Sequence, residues 1–233
     1  MRLVLWDIDG TLVHTAGYGR DAFGEAFAAI FGRQADLTSV SMGGRTDHDI
    51  AIEVLAAAGV ADGDTHVPRM LDELAVALGA VRERIAEEGR PTPGARQTLE
   101  AVAGRPGITQ SLLTGNIEVN AELKLGAFGL DRFVDLEIGG YGSDPHTTRS
   151  DLVGVAREKA ERLRGVSVDA ADTILIGDTP LDVEAARGAG ARAIGVGAAS
   201  FTRQQLLDAG AEAAFDDLRD TRGLLEALST GSI

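Results

Sequence analysis

The sequence predicts an α/β fold: a core built on a parallel sheet, with a helical domain inserted after the first strand. Three observations indicate this fold. An apolar strand near residue 3 ends in two aspartates, residues 17–89 show only helical patterns, and helices alternate with strands from residue 91 onward. Such alternation implies parallel pairing through right-handed crossovers. We therefore expect a Rossmann-like core that carries an insertion.

The first strand lies in residues 3–12, LVLWDIDGTL. An apolar run followed by a turn signal suits a central parallel strand, and open α/β sheets bind ligands at the carboxyl ends of such strands. Gly10 allows the chain to turn, so that the carboxylate of Asp9 can lie over that of Asp7. Two acids this close share a proton or bind a cation. The segment therefore predicts metal-assisted chemistry.

Two alternatives exist for this aspartate pair, a calcium-binding loop and a solvated turn. A calcium loop requires further acids at fixed spacing. Here Thr11 and Leu12 follow the pair, and an apolar strand precedes it. Both alternatives are disfavoured.

Composition indicates a soluble globular protein. Of 233 residues, 44% are hydrophobic and 25% are charged, which is ordinary for this class. The absence of cysteine excludes disulfides and thiolate chemistry. No apolar run approaches the ~18 residues of a membrane span, and no basic leader precedes the first strand. We expect a cytoplasmic location.

The net charge of −14 restricts the partners. Nucleic-acid binding depends on neutralising phosphates with Lys and Arg, so we expect no nucleic-acid partner. The lack of a long apolar run predicts no membrane partner. A small phosphorylated ligand is compatible with this charge, because a metal and one or two cations can neutralise it locally. Both a monomer and a dimer remain open.

The helical stretch contains predicted helices at 21–31, 47–58 and 68–88. Thr46 and Asp49 resemble a capping box at the start of the second helix, and Gly59 suits its end. The predicted domains are a core of residues 1–14 and 90–233 and a helical cap of residues 15–89. Their connections near 14–16 and 89–92 form a natural hinge pair.

From residue 94 onward, predicted helices alternate with predicted strands. Helices are predicted at 94–103, 117–128, 149–164, 181–189, 203–209 and 218–228, and strands at 108–113, 133–136, 173–176, 193–196 and 213–215. A loop of Gly, Ser, Asp, Pro and His residues spans 139–147.

Polar residues follow two of these strands. Thr114, Gly115 and Asn116 open a helix, where a hydroxyl and free amides make an anion site; an ordinary helix cap is the alternative. Asp178 follows the strand at 173–176, and Asp182 lies one turn further on. Two explanations are open for these acids. They could simply complement the helix dipole, but binding of a hard cation together with the first aspartate pair is favoured.

Two arginines and a histidine are further candidates. Arg149 begins a predicted helix, where a cation opposes the dipole, so either an anion lies nearby or this is a surface arginine. Arg45 follows a glycine pair in the cap; it is a candidate specificity residue for a second anionic group, or simply flanks the helix cap. We interpret His14 as a linker residue.

Together these motifs resemble the haloacid dehalogenase superfamily in its phosphatase branch. The resemblance rests on residues 7–13 (DIDGTLV), 113–116 (LTGN) and 177–182 (GDTPLD), in this order and at strand ends. It covers essentially the whole chain, and the helical insert resembles the mobile cap of the family.

The resemblance implies a Mg²⁺-dependent phosphatase. Asp7 would attack phosphorus and form an aspartyl-phosphate, and Asp9 would act as general acid and then as general base. The ion would be held by the Asp7 carboxylate, the Asp9 main-chain carbonyl and Asp178, with Asp182 in support.

The phosphoryl oxygens would be bound by Thr114 and by the amides of Gly115 and Asn116. The family supplies a lysine between the second and third motifs, but Lys124 and Lys159 lie well inside predicted helices. Arg149 is therefore the expected replacement, because its fork can hold the phosphoryl oxygens and the nucleophile together.

The favoured substrate is a small phosphomonoester, hydrolysed as in phosphoglycolate phosphatases. A phosphomutase of the β-phosphoglucomutase type uses the same core and cap and remains open. Haloacid dehalogenases lack the second acid, which Asp9 supplies here, so dehalogenation is disfavoured. A non-catalytic binding protein is disfavoured because no key carboxylate is missing.

Overall fold

A five-stranded parallel sheet forms the centre of the protein in the computed structural model, which describes residues 1–230. In chain order the strands are β1 (Arg2–Trp6), β2 (Val13–His14), β3 (Arg90–Pro91), β4 (Ile108–Leu112), β5 (Thr173–Gly177), β6 (Arg192–Val196) and β7 (Ala213–Phe215). The central sheet has the order β4-β1-β5-β6-β7, and all its pairs are parallel. The predicted α/β class is confirmed.

The side chains of β1 alternate between two apolar layers. Val4 and Trp6 belong to one buried cluster, and Leu3 and Leu5 belong to another, as the alternation of a strand buried on both faces requires. Asp7 is the first residue beyond the strand. Because β1 lies between β4 and β5, polar residues that follow these three strands meet at one edge of the sheet.

Four helices lie between β2 and β3: α1 (Tyr18–Phe31), α2 (Asp47–Ala57), α3 (Val67–Ala80) and α4 (Arg82–Glu88). We call residues 15–89 the helical block. The buried members of its apolar cluster all come from residues 18–85. The division of the chain into a core and a cap domain remains a proposal.

Six further helices surround the sheet: α5 (Ala95–Ala103), α6 (Glu118–Gly126), α7 (Asp151–Arg164), α8 (Pro180–Gly188), α9 (Arg203–Asp208) and α10 (Thr221–Ser229). Among residues 1–230 no helix is both long enough and apolar enough to cross a membrane.

The two connections to the helical block run side by side. Strands β2 and β3 pair antiparallel, with Val13 opposite Pro91 and His14 opposite Arg90. At Gly89 a Cβ would lie 2.6 Å from the Ile85 carbonyl oxygen, too close for any side chain. The segments predicted as a hinge pair are thus in direct contact.

Two predicted elements are wrong. The helix predicted at 68–88 is two helices, α3 and α4, because the backbone leaves helical geometry at Val81. Residues 133–136, all within the described chain, form no strand. The Asp135 side chain instead caps a short turn by accepting from the Glu137 N–H, and the edge of the sheet next to Leu113 is bridged by Gly140.

The start of α7 also differs from the prediction. The helix begins at Asp151, so Arg149 lies in the preceding loop. The Asp151 carboxylate accepts hydrogen bonds from the N–H groups of Thr147 and Thr148 at 2.9 and 2.8 Å. An acid in this place suits the start of a helix, and it leaves Arg149 free to extend towards the sheet edge.

Candidate active site

Three carboxylates converge at the carboxyl ends of β1 and β5. Asp7 follows β1, Asp178 follows β5, and Asp182 lies in the first turn of α8. One oxygen from each lies within 4.8 Å of the others, and all three residues are buried. Asp182 is held by a capping box in which its carboxylate accepts from the Thr179 N–H at 3.0 Å. This set of hard oxygen ligands suits a divalent cation.

The electrostatics of the three acids favour a bound cation. Burial raises the pKa of Asp7 to about 7, and the charge of Asp182 adds to this. Burial likewise raises the pKa of Asp178 to about 8, with repulsion from Asp7 and Asp182. Clustered buried carboxylates resist ionisation because their charges repel in a poorly solvated place. A bound metal ion would offset the repulsion between the ionised carboxylates. The three residues therefore fit the Mg²⁺ ion that the sequence implies.

Arg149 joins this cluster to the helical block. Its Nη2 donates to Asp7 Oδ1 at 2.9 Å and to Asp182 Oδ1 at 2.6 Å, and its Nη1 donates to the Gly44 carbonyl at 3.1 Å. The guanidinium therefore contacts the candidate nucleophile and the block that covers it. The positive charge opposes the rise in the pKa of Asp7 that burial and Asp182 cause.

Asp9 has a different environment. Its side chain is 43% exposed, and its Oδ2 accepts hydrogen bonds from Lys124 Nζ at 2.6 Å and from Asn116 Nδ2 at 2.7 Å. The surrounding protein opposes ionisation of this carboxyl, but the Lys124 charge and both hydrogen bonds lower its pKa below the usual value. Asn116 Nδ2 also donates to Thr114 Oγ1 at 2.8 Å, which ties these polar groups together.

The interpretation that neither lysine reaches the site is wrong for Lys124. Its position inside α6 places it on the face of Asn120, one turn earlier, and Asn116 lies four residues before Asn120, just ahead of the helix. Helical side chains lean towards the amino terminus of the helix, which here points at the sheet edge. The i, i+4, i+8 pattern of polar residues was the available signal. Lys159 instead pairs with Asp144.

Gly10 makes the aspartate pair possible. Its φ is +87°, in the region that favours glycine, and a Cβ there would overlap the Asp178 carboxylate. Thr11 donates its hydroxyl to Asp178 Oδ1 at 3.1 Å. The turn therefore brings the first motif and the third motif into direct contact.

The helical block closes over the second motif. The Asp47 N–H donates to the Gly115 carbonyl at 2.7 Å, and the Ile117 N–H donates to Asp47 Oδ2 at 2.8 Å. A Cβ on Gly115 would overlap the carbonyl oxygen of Arg45. Thr46 caps α2 by accepting from the Asp49 N–H at 3.1 Å, which fixes the start of the helix at this contact.

Arg45 lines the cavity, but its guanidinium is engaged within the helical block. It forms an ion pair with Glu53 and donates to the carbonyls of Ser41 and Asp49. His14 also lines the cavity, with its Nε2 3.4 Å from the Thr92 hydroxyl.

The site opens into a cavity of about 510 Å³ between the sheet edge and the helical block. The predicted site residues that line it are Asp7, Asp9, Arg45, Thr114, Gly115, Asn116, Arg149 and Asp178. Asp182 lies behind them, in contact with Arg149.

Comparison with known proteins places the chain among hydrolases of this architecture. The sequence model of the haloacid dehalogenase-like hydrolase family matches residues 4–187, and a second HAD-hydrolase-like model matches residues 154–221. The chain belongs to the haloacid dehalogenase-like hydrolase family.

Similar individual proteins agree with this assignment. "Probable phosphatase IndB" of Dickeya dadantii is 27% identical over 97% of this chain and 94% of its own length. A phosphoglycolate phosphatase of Rhodospirillum rubrum is 29% identical over 93% of this chain and 87% of its own. A hydrolase structure from Pseudomonas syringae has the same fold, with a TM-score of 0.72 at 21% identity and full coverage of both chains. The protein is an enzyme of the phosphatase class.

Proposed function

We propose that this phosphatase hydrolyses a small phosphomonoester in a Mg²⁺-dependent reaction, through an aspartyl-phosphate on Asp7, as phosphoglycolate phosphatases of this family would. The observation that carries the proposal is the convergence of Asp7, Asp178 and Asp182 beneath a cavity, with Arg149 bound to two of them. A nucleophile, a cation site and a fixed positive charge are the components that phosphoryl transfer requires.

Asp7 is the proposed nucleophile. One carboxylate oxygen attacks phosphorus, and the bond between phosphorus and the alcohol oxygen breaks. Arg149 holds Asp7 Oδ1 in a fixed direction. Asp7, Asp178 and the Asp9 carbonyl would hold Mg²⁺, with Asp182 in support. When bound, the ion supplies charge that screens the repulsion between an anionic nucleophile and an anionic ester.

Asp9 is the proposed acid and base. In the first step it donates a proton to the departing alcohol oxygen. In the second it takes a proton from the water that attacks phosphorus, and the bond between phosphorus and the Asp7 carboxylate breaks to release inorganic phosphate and the free Asp7. Lys124 and Asn116 fix its carboxylate. The Thr114 hydroxyl and the amides of Gly115 and Asn116 are the proposed donors to the phosphoryl oxygens.

We propose that the helical block is a cap domain that opens for substrate and closes through the Asp47–Gly115 contact. No observation specifically favours the sugar-phosphate mutase alternative. A cytoplasmic location, the expectation from the sequence, is part of the proposal and is testable by cell fractionation.

The test is turnover of p-nitrophenyl phosphate by the native chain and by Asp7→Asn, with and without Mg²⁺. Metal-dependent hydrolysis by the native chain alone is expected, and Asp49→Asn, which changes an exposed acid, should retain full activity. Equal activity in Asp7→Asn would remove the nucleophile assignment. Release of inorganic phosphate from a sugar phosphate, rather than an isomeric sugar phosphate, distinguishes hydrolase from mutase.

A further inference from the structure

Asp47 of the helical block binds the second motif on both sides of one residue. Its N–H donates to the Gly115 carbonyl at 2.7 Å, and its Oδ2 accepts from the Ile117 N–H at 2.8 Å. Asn116 lies between these two bonds, and its side chain donates to Asp9 Oδ2 at 2.7 Å. A donor to the proposed acid and base is therefore flanked on both sides by hydrogen bonds to the helical block.

The start of α6 receives its acceptors from outside the helix. Ile117 precedes the first turn and has no side-chain acceptor to cap it, although Ser, Thr, Asp and Asn are preferred at this position. Asp47 and Ser143 accept from the first N–H groups instead, and negative charge is favourable at this end of a helix. Lys124, the second donor to Asp9, belongs to the same helix. The helical block thus helps to fix the helix that carries this lysine.

The electrostatics of Asp47 tie it to the same helix. The residue is only 6% exposed, and burial raises its pKa to about 6. The charge of Lys124 and hydrogen bonds from the Ile117 N–H and the Asn120 side chain oppose this rise. Asn120 lies one turn before Lys124. One carboxylate of the helical block therefore contacts α6 at its start and again on the face that leads to Lys124.

We propose, given the phosphatase function proposed above, that Asp47 is a positioning residue that acts on Asp9 through Asn116 and Lys124. When the helical block closes, Asp47 binds on both sides of Asn116 and at the start of α6, which fixes both donors to Asp9. Asp9 is then held where it can pass its proton to the departing alcohol oxygen. When the block opens, the donors lose this support, so proton transfer is efficient only in the closed site.

The test compares leaving groups that differ in their need for a proton. An alkoxide must be protonated as it departs, whereas p-nitrophenolate is stable enough to depart without a proton. Misplacement of Asp9 should therefore slow alkyl esters and spare p-nitrophenyl phosphate. The alkyl ester is whichever of 2-phosphoglycolate, glycerol 1-phosphate and glucose 6-phosphate the native chain hydrolyses fastest. With the full chain and Mg²⁺, phosphate release gives kcat/KM for both esters, and we call alkyl over aryl the leaving-group ratio.

Asp47→Ala should lower the leaving-group ratio at least about tenfold, because a misplacement of about 1 Å can cost about 10²-fold in rate. Asp47→Asn should restore most of the native ratio, since its carboxamide oxygen can accept the same bond from Ile117. Asp47→Ser, with a side chain one bond shorter, should match Asp47→Ala and guards against a folding defect of that variant. Asp49→Ala is the control, because it removes an exposed acid from the same turn of α2. Its ratio should be native.

The outcomes separate this inference from the proposed function. An equal loss of kcat/KM for both esters in Asp47→Ala would leave Asp47 a purely structural role and overturn the inference, as would native kinetics. A ratio in Asp47→Asn as low as in Asp47→Ala would overturn the assignment to the bond from Ile117. No phosphate release from any ester by the native chain, p-nitrophenyl phosphate included, would instead contradict the proposed function.

Discussion

Lys124 Nζ donates a hydrogen bond to Asp9 Oδ2 at 2.6 Å, from a side chain that is only 6% exposed. A second donor bond, to Asn116 Oδ1 at 2.6 Å, fixes the ammonium group in place. The proposed acid and base therefore has a cationic partner that comes from the helix behind the second motif. Such a partner holds the carboxylate in one position and favours its ionised form.

Replacing this lysine should impair catalysis and shift its pH dependence. We expect Lys124→Met to lower kcat/KM by about 10²-fold, the lower end of what acid–base catalysis contributes. Loss of the charge raises the pKa of Asp9, so the acidic limb of the kcat profile, where Asp9 must be ionised to act as the base in the hydrolysis step, should move to higher pH. Lys159→Met, which changes the lysine paired with Asp144, should leave the limb in place. Superimposable profiles for Lys124→Met and the native chain would contradict the role.

The raised pKa of Asp178 makes stability of the metal-free protein depend on pH. Its pKa is about 8 in the folded chain and about 3.9 when unfolded. Between these values the folded state holds more protons, so the free energy of unfolding falls as pH rises. The slope approaches about 1.4 kcal/mol per pH unit for one proton. Urea denaturation in the presence of a chelator, from pH 4 to pH 8, measures it.

Asp178 should also make the free energy of unfolding depend on bound Mg²⁺. Asp178→Asn should make the slope shallower, mainly above pH 7, because Asp7, whose pKa is also raised to about 7, still contributes below that pH. Asp49→Asn, at an exposed acid, should leave the slope unchanged. Mg²⁺ at 100 times its Kd should stabilise the native chain by about 2.7 kcal/mol, and Asp178→Asn should lose most of this gain. Full stabilisation of the variant by Mg²⁺ would place the ion elsewhere.

Closure of the helical block should require glycine at position 115, because the contact leaves no room for a Cβ. In Gly115→Ala the new Cβ would overlap the Arg45 carbonyl oxygen, so the closed contact with α2 cannot form. We expect a larger radius of gyration by small-angle scattering and at least about a tenfold loss of kcat/KM, because small misplacements of catalytic groups cost this much or more.

Gly43→Ala is the matched control for this substitution. Gly43 lies close by in the loop before α2, and a Cβ there would meet no atom within 4 Å. Both the radius and the rate should remain native. An unchanged radius in Gly115→Ala would show that the contact does not hold the block closed.

Much of this architecture could be predicted from local sequence. The strand that ends at Trp6 is buried on both faces, so its composition alone identifies a central parallel strand. Pro180 at the first position of α8 and the cap at Thr46 follow from short-range rules. Each of these signals depends on residues within one turn of each other.

Features that depend on distant residues could not be predicted. The failed strand at 133–136 has suitable apolar residues, but pairing at the sheet edge goes to Gly140, which no local pattern shows. Lys124 lies eight residues from Asn116; the spacing of the polar residues indicates a shared side, but that both reach Asp9 depends on the direction in which α6 leaves the sheet. Likewise the pairing of Arg45 with Glu53 depends on which of several side chains lies nearest after folding.

Arg149 provides the sharpest test of how the site is assembled. Its fork contacts Asp7, Asp182 and the Gly44 carbonyl at once, whereas the single ammonium of a lysine cannot reproduce this planar geometry. We expect Arg149→Lys to lower kcat by about 10²-fold, the loss typical of one electrostatic donor. KM should rise as well, because the contact with the helical block is lost.

Arg164→Lys is the control for this prediction, since Arg164 lies at the far end of α7 and pairs with Asp135 and Glu137 away from the cavity. Its kinetic constants should equal those of the native chain. If Arg149→Lys instead retains native kcat and KM, a point charge is sufficient at this place. The bridge to Gly44 would then contribute nothing to catalysis.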